Sequence, residues 1–197
     1  MAKSLIQPGQ SEGNPNTGRL FTTRELVFTG ICSALLAVCS WISIPTVVPF
    51  TFQTFGVFCT LELLGGKKGF FSILVFLLLG AVGIPVFAEF SSGLGVLLGT
   101  TGGYLIGFLF TAGIYWLVEK IPLHQTIWFR VIVLIVGLAV CYLFGTLWFM
   151  QVYARNVEAI SFGTALKACV IPFLIPDAVK LALAMILTGR IKKYVSF

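Results

Sequence analysis

The chain has 197 residues, of which 58% are hydrophobic and 10% charged, with a formal net charge of +6. A water-soluble domain carries roughly 25% charged residues, so this composition excludes one and points to an integral membrane protein. The basic residues flank apolar runs instead of forming a patch with interleaved aromatics, which argues against nucleic acid as a partner.

In chain order, Met1 to Gly18 is polar and rich in Gly, Pro, Asn and Ser, without the apolar core of a signal peptide. Residues 1–23 are read as a disordered tail and residues 24–197 as one membrane-embedded domain. Leu26 to Ile44 is an uncharged run of 19 residues, a helix of nearly 30 Å and the first span. Pro45 and Pro49 end it, and the Thr-rich "SIPTVVPFTFQTF" predicts a structured loop. A short second span runs from about Phe52 to Leu64 and closes on "GGKKG"; a third covers Phe70 to about Val82, before "GIPVFAEFSSGLG". The fourth takes about Leu97 to Val118, the fifth Val131 to Tyr153 and the sixth about Thr164 to Gly189. The predicted fold is all-α, a bundle of six transmembrane helices in the cell membrane.

Basic residues set its orientation, since Lys and Arg collect on the cytoplasmic side. The even-numbered connections and the two ends hold ten: Lys3, Arg19, Arg24, Lys67, Lys68, Lys120, Arg130, Arg190, Lys192 and Lys193. The odd-numbered connections hold Arg155 and Lys167. Both termini are expected to be cytoplasmic, with the Pro- and Gly-rich loops facing outward.

Five cysteines, Cys32, Cys39, Cys59, Cys141 and Cys169, are scattered through apolar segments without a CxxC, and His124 stands alone in a short polar link. Neither pattern supplies the converging ligands of a metal site, and no metal or cofactor is expected. Small residues recur at helical spacing in two places. Gly99, Gly103, Gly107 and Thr111 form a ridge suited to packing within the fold. In the first span, Gly30 with Ala34 and Ser33 with Ala37 repeat the pattern, and either internal packing or docking of a partner would use it. The glycines of "SSGLGVLLGTTGG" lack the spacing and the GK[ST] of a phosphate loop.

One run, "IPFLIPDAVKLALAMILTG", breaks the apolar rule with Asp177 and Lys180, three residues apart. A charge at the bilayer centre costs roughly 2.5–3.5 kcal/mol on insertion scales, so both need compensation. They could compensate each other across one helix face. Alternatively, Pro172 and Pro176 break the helix and a fresh one begins near Ile175 with Pro176 at its first position. That helix end and Lys180 would then attract an anionic group, while Asp177 accepts from N–H donors. The guest so described is small, with a carboxylate and polar N–H groups. The pair lies about 18 Å from the cytoplasmic border at Arg190, in the outer half. Aromatics of the outward loops, Phe50, Phe52, Phe55, Phe87 and Phe90, with Tyr104, could wall an apolar ring.

The motifs "VPFTFQT" (48–54), "LGGKKG" (64–69), "LLLGAVGIPVFA" (77–88), "GTTGGYLIGF" (99–108), "LFGTLWF" (143–149) and "IPFLIPDAVKLALA" (171–184), in this order and spacing, resemble the BioY family. Its members are the biotin-specific S components, or substrate-binding subunits, of energy-coupling factor (ECF) vitamin transporters. The resemblance covers about Pro45 to Lys193. It implies a six-helix S-component bundle in a bacterial cell membrane, with a biotin site near the outer face closed by the first outward loop. It also implies a transmembrane coupling protein and two ABC ATPases as partners, met through the Gly30 and Ala34 face. That fits a chain with no ATPase motif of its own. Asp177 is assigned to biotin's ureido ring and Lys180 to its carboxylate, an order that could be swapped, with Gln53, Thr100, Thr101 and Tyr104 as further contacts and Phe87 as wall. The chain departs from the family's usual glycine at Glu89, its proline at Thr100, and its PGD at Ile175–Asp177.

The rival with most to offer is a proton-coupled secondary transporter of a small carboxylate-bearing vitamin, titrating at Asp177; no inverted repeat supports it. An enzyme would need a nucleophile and base or a metal cluster, which one loop histidine and scattered cysteines do not provide. A ligand-free helix bundle is the third rival.

Overall fold

The computed structural model describes residues 22–46, 48–157 and 159–194. Nearly all of the segment expected as a tail lies outside them, but its last two residues, Thr22 and Thr23, open the first helix. The reason is a capping box: Thr22 Oγ1 accepts from Glu25 N (3.3 Å) and Glu25 Oε2 accepts from Thr22 N (2.8 Å).

Seven α-helices appear among the described residues: α1 (Thr23–Trp41), α2 (Gln53–Ala81), α3 (Leu94–Leu98), α4 (Gly102–Val118), α5 (Ile127–Asn156), α6 (Phe162–Cys169) and α7 (Ile171–Ile191). Four of them, α1, α2, α5 and α7, are long and apolar enough to cross a membrane; α4, with 17 residues, is shorter. Two residue-pairs of antiparallel strand, β1 (Ser43–Ile44) and β2 (Phe50–Thr51), close the Pro-containing loop after α1.

The second and third predicted spans fall together in α2, which is broken at Gly65 (φ 78°, ψ 177°). Only glycine adopts that backbone cheaply, and a Cβ there would also stand 2.3 Å from Glu119 Oε1. The two arms of α2 point in opposite directions along their neighbours. The first runs from Thr54, beside Asp177 of α7, to Glu62, beside Lys192 of α7. The second runs from Lys68, paired with Glu25 at the start of α1 (3.0 Å), past Ser72, whose carbonyl accepts from Ser33 Oγ (2.8 Å). Its extension at Pro85 accepts from Trp41 Nε1 at the end of α1 (2.8 Å). Gly69 backs onto Thr60 and Leu61 of the first arm, as a tight reversal requires.

Of the small-residue ridge, Gly103, Gly107 and Thr111 pack inside the fold as expected, whereas Gly99 caps α3 ahead of α4, which starts at Gly102 and not near Leu97. A Cβ on Gly103 would meet Trp148, one on Gly107 would meet Cys141, and Thr111 Oγ1 donates to Gly137 O (2.9 Å) on α5. Small side chains on both helices let their backbones approach and stack the pair along most of its length.

The sixth predicted span is two helices, α6 and α7, separated at Val170 (φ −127°). Here the sequence-based expectation needs correction: the helix carrying Asp177 starts at Ile171, not near Ile175, and Pro176 lies inside it. Pro172 occupies the first turn, where a missing N–H costs nothing. The helix continues through Pro176 with the loss of one backbone hydrogen bond. Asp177 therefore stands in the second turn of α7, away from its free N–H groups.

Opposite Asp177, the far end of the bundle holds a second buried charge. Glu62 Oε1 accepts from Tyr115 OH (2.9 Å), and its Oε2 faces Arg130 Nε (3.4 Å) and Lys192 Nζ (3.5 Å). One carboxylate thus ties α2, α4, α5 and α7 together.

Candidate functional site

Between the Asp177 end of α7, the start of α2 and the loop before α3 lies a cavity of about 500 Å³, a size typical of small-molecule sites. All seven sequence-predicted contacts line it: Gln53, Phe87, Thr100, Thr101, Tyr104, Asp177 and Lys180.

Its polar corner is built by α7. At positions i and i+3, Asp177 and Lys180 share a face, and their Oδ1 and Nζ are 2.7 Å apart with both residues almost fully buried. Lys180 Nζ also donates to Thr51 O (2.7 Å) and Thr54 Oγ1 (3.2 Å), so its three hydrogens are all committed, and it stands 4.3 Å over the Phe50 ring. Asp177 Oδ1 accepts from Thr54 Oγ1 (2.8 Å) and Oδ2 from Tyr142 OH. With Lys180, that fills three of roughly four acceptor places on the carboxylate. The two charges compensate each other, and one acceptor place is left over.

Beside them Gln53, the first residue of α2, is 4% exposed and its Nε2 has no hydrogen-bond partner in the protein. Leaving a buried donor unpaired costs about 1–3 kcal/mol, and because Gln53 also lines the cavity, a rotation of its amide toward a ligand acceptor would relieve that cost. The cavity lining therefore carries both an acceptor, the remaining place on Asp177, and a donor group, the Gln53 amide. It suits a group that both donates and accepts, such as a urea or amide, better than a carboxylate, which only accepts.

Apolar walls complete the cavity. Phe87 is fully buried, edge-on to Phe76 (5.5 Å), with its ring over Gly80, where a Cβ would come within 2.0 Å. Tyr104, Leu105, Phe108, Leu138 and Phe173 add apolar surface, and the Tyr104 hydroxyl lies 3.2 Å from Thr146 Oγ1. Of the other aromatics considered, Phe90 lies on the surface against Trp41 (5.1 Å) and Phe52 pairs with Phe55 (4.6 Å). Tyr142 and Thr54, which hold Asp177, were not singled out in the sequence. Thr54 belongs to the quoted "VPFTFQT", but a lone Tyr142 in an apolar span carries no signal until the fold brings it to α7.

The four small residues proposed for docking divide. Ser33 and Ala37 are buried, Ser33 Oγ donating to Thr29 O and Ser72 O. Gly30 and Ala34 are exposed, and a Cβ on Gly30 would meet nothing within 4 Å.

Comparison with known proteins places this architecture. The BioY family model matches residues 12–197. The chain is 38% identical over 172 residues to the biotin transporter BioY of Thermotoga maritima, covering 86% of this chain and 96% of that one. It is 39% identical over 171 residues to the probable biotin transporter BioY of Pyrococcus horikoshii, with the same coverage. A solved structure described as the S-component for biotin from an ECF-type ABC transporter superposes with a TM-score of 0.78 at 25% identity, covering 90% of this chain and 97% of that one. A match across the whole membrane domain, in sequence and in fold, makes this chain a member of the BioY family.

Proposed function

We propose that the chain captures biotin as the S component of an ATP-driven ECF transporter, a multi-pass protein of the cell membrane. The observation that carries the ligand is the buried Asp177–Lys180 pair, with one acceptor place of the carboxylate unfilled, on the lining of a largely apolar cavity that Gln53 also lines. Biotin's ureido group supplies both complements, N–H donors for Asp177 and a carbonyl for Gln53, and its fused ring fits walls such as Phe87 and Tyr104. Because Asp177 and Lys180 are joined at 2.7 Å, they act as one polar point and address the same end of the ligand. The valerate then runs toward Thr100, Thr101 and the exposed rim.

Six membrane crossings follow if the two arms of α2 count separately beside α1, α4, α5 and α7. The first arm, Gln53 to Leu64, is short, about 18 Å, and the loop closed by β1 and β2 completes its crossing. Both termini face the cytoplasm in this reading: Arg24, Lys68, Arg130 and Lys192 gather at the Glu62 end, as the positive-inside rule requires. The cavity then opens outward. Transport energy comes from a coupling protein and two ABC ATPases, which dock on the exposed Gly30 and Ala34 face of α1.

Parallel measurements test both halves. Purified protein in detergent is expected to retain labelled biotin without nucleotide, and failure to retain it contradicts the ligand. Gly30→Leu with Ala34→Leu is expected to abolish ATP-dependent uptake in vesicles with the coupling module while leaving that binding intact, because bulky side chains block close helix approach. Loss of both activities would place the ridge inside the fold, and retention of both would move docking to another surface.

A further inference from the structure

Among the described residues three charged side chains line the cavity, and two of them, Asp177 and Lys180, neutralise each other, which leaves Glu89 as the charge of that lining without an opposite charge paired to it. Asp177 and Lys180 are buried at one end of the cavity, whereas Glu89 is exposed at its rim. Its backbone is held in the left-handed region (φ 57°, ψ 30°), as is that of Phe90 (φ 57°). That conformation is uncommon for residues with a side chain. Its neighbours enforce it: Phe87 N donates to Ser91 O (3.1 Å), Ser91 Oγ to Ala88 O (2.6 Å), and Phe90 stacks on Trp41. Phe90 shares the conformation without lining the cavity, so the turn accounts for the backbone, and what singles out Glu89 is its charge on the cavity lining.

We infer that Glu89 is a specificity-determining residue that sets which charge the site accepts on the outward end of its ligand, disfavouring an anionic tail and favouring a neutral or cationic one. This rests on the biotin reading, with the ureido ring at the buried corner and the tail at the rim. Glu89 makes the site tolerant of biotin joined through an amide to an amine-bearing group, a class that a cationic rim would discriminate against. Because the rim is solvated, its discrimination is modest and screened by salt.

The test compares three probes that share the fused ring and differ at the free end: biotin (anionic), its primary amide (neutral), and its amide with ethylenediamine (cationic). Dissociation constants are measured for the purified full chain and for Glu89→Gln and Glu89→Lys. The ratio of cationic-probe to biotin affinity is expected to fall about threefold in Glu89→Gln and about tenfold in Glu89→Lys relative to the parent. Raising the salt should compress these differences. Glu89→Gln keeps the size of the side chain, so it decides the matter alone if the lysine variant does not fold. A ratio that changes by less than about 1.5-fold in Glu89→Gln, with all three probes still binding, would overturn this role while leaving the biotin reading intact. No binding of any probe to the parent chain would overturn both.

Discussion

Two places bury charge among the apolar helices, and they are built differently. At the Glu62 end, one carboxylate collects Tyr115, Arg130 and Lys192 from three other helices. At the Asp177 end, the carboxylate pairs with Lys180 of its own helix and with Thr54 and Tyr142, and these groups line a cavity together with Gln53, whose buried Nε2 has no partner among the described residues. A buried ion pair is thus no mark of a binding site by itself. What sets the Asp177 end apart is the cavity of about 500 Å³ that its polar groups line.

The largest expected effect separates the two carboxylates. Glu62→Gln should lower unfolding stability in a denaturant titration by about 3–5 kcal/mol, because Arg130 and Lys192 lose their counter-charge. The folded variant should still bind biotin within about twofold of the parent, since distant sites act independently. Asp177→Asn should instead weaken biotin binding by about 1.5–3 kcal/mol through loss of a charged acceptor. Equal effects of the two changes on binding would erase the distinction drawn between the two ends.

A smaller effect sharpens the comparison through opposite signs. Gln53→Met removes the unpaired donor, so the ligand-free protein should gain about 1 kcal/mol of stability while biotin affinity falls by about 1 kcal/mol, roughly fivefold. Thermal unfolding with and without biotin reads both. A variant that loses stability and keeps its affinity would mean that Gln53 serves the fold.

Much of this was legible from residue order. Apolar runs of membrane length located α1 and α5, and two charges in "IPFLIPDAVKLALA" pointed to the cavity because hydrocarbon makes charge conspicuous, whereas the second and third predicted spans fell together in α2 and the sixth divided into α6 and α7. What could not be read depended on contacts between distant segments. Tyr142 and Thr54 reach Asp177 across 35 and 123 residues, and neither stands out where it sits. The start of α7 was misplaced because two prolines four apart compete for the first turn and local rules do not say which wins. Gly30, Ser33, Ala34 and Ala37 lie on one helix, but only packing decides that Ser33 and Ala37 turn inward. Glu62 drew no notice because a lone carboxylate near the end of a short span looks like a boundary residue until Tyr115, Arg130 and Lys192 surround it.

The central claim, that the polar corner holds the ureido ring and leaves the tail at the rim, is tested most directly by a structure of this chain with biotin bound. A ureido N–H about 2.7–3.2 Å from Asp177, the ureido oxygen at similar distance from Gln53 Nε2, and the carboxylate toward Thr100, Thr101 and the solvent at the rim are the predicted result. Biotin found reversed, with its carboxylate on Lys180 and its fused ring at the rim, would contradict it.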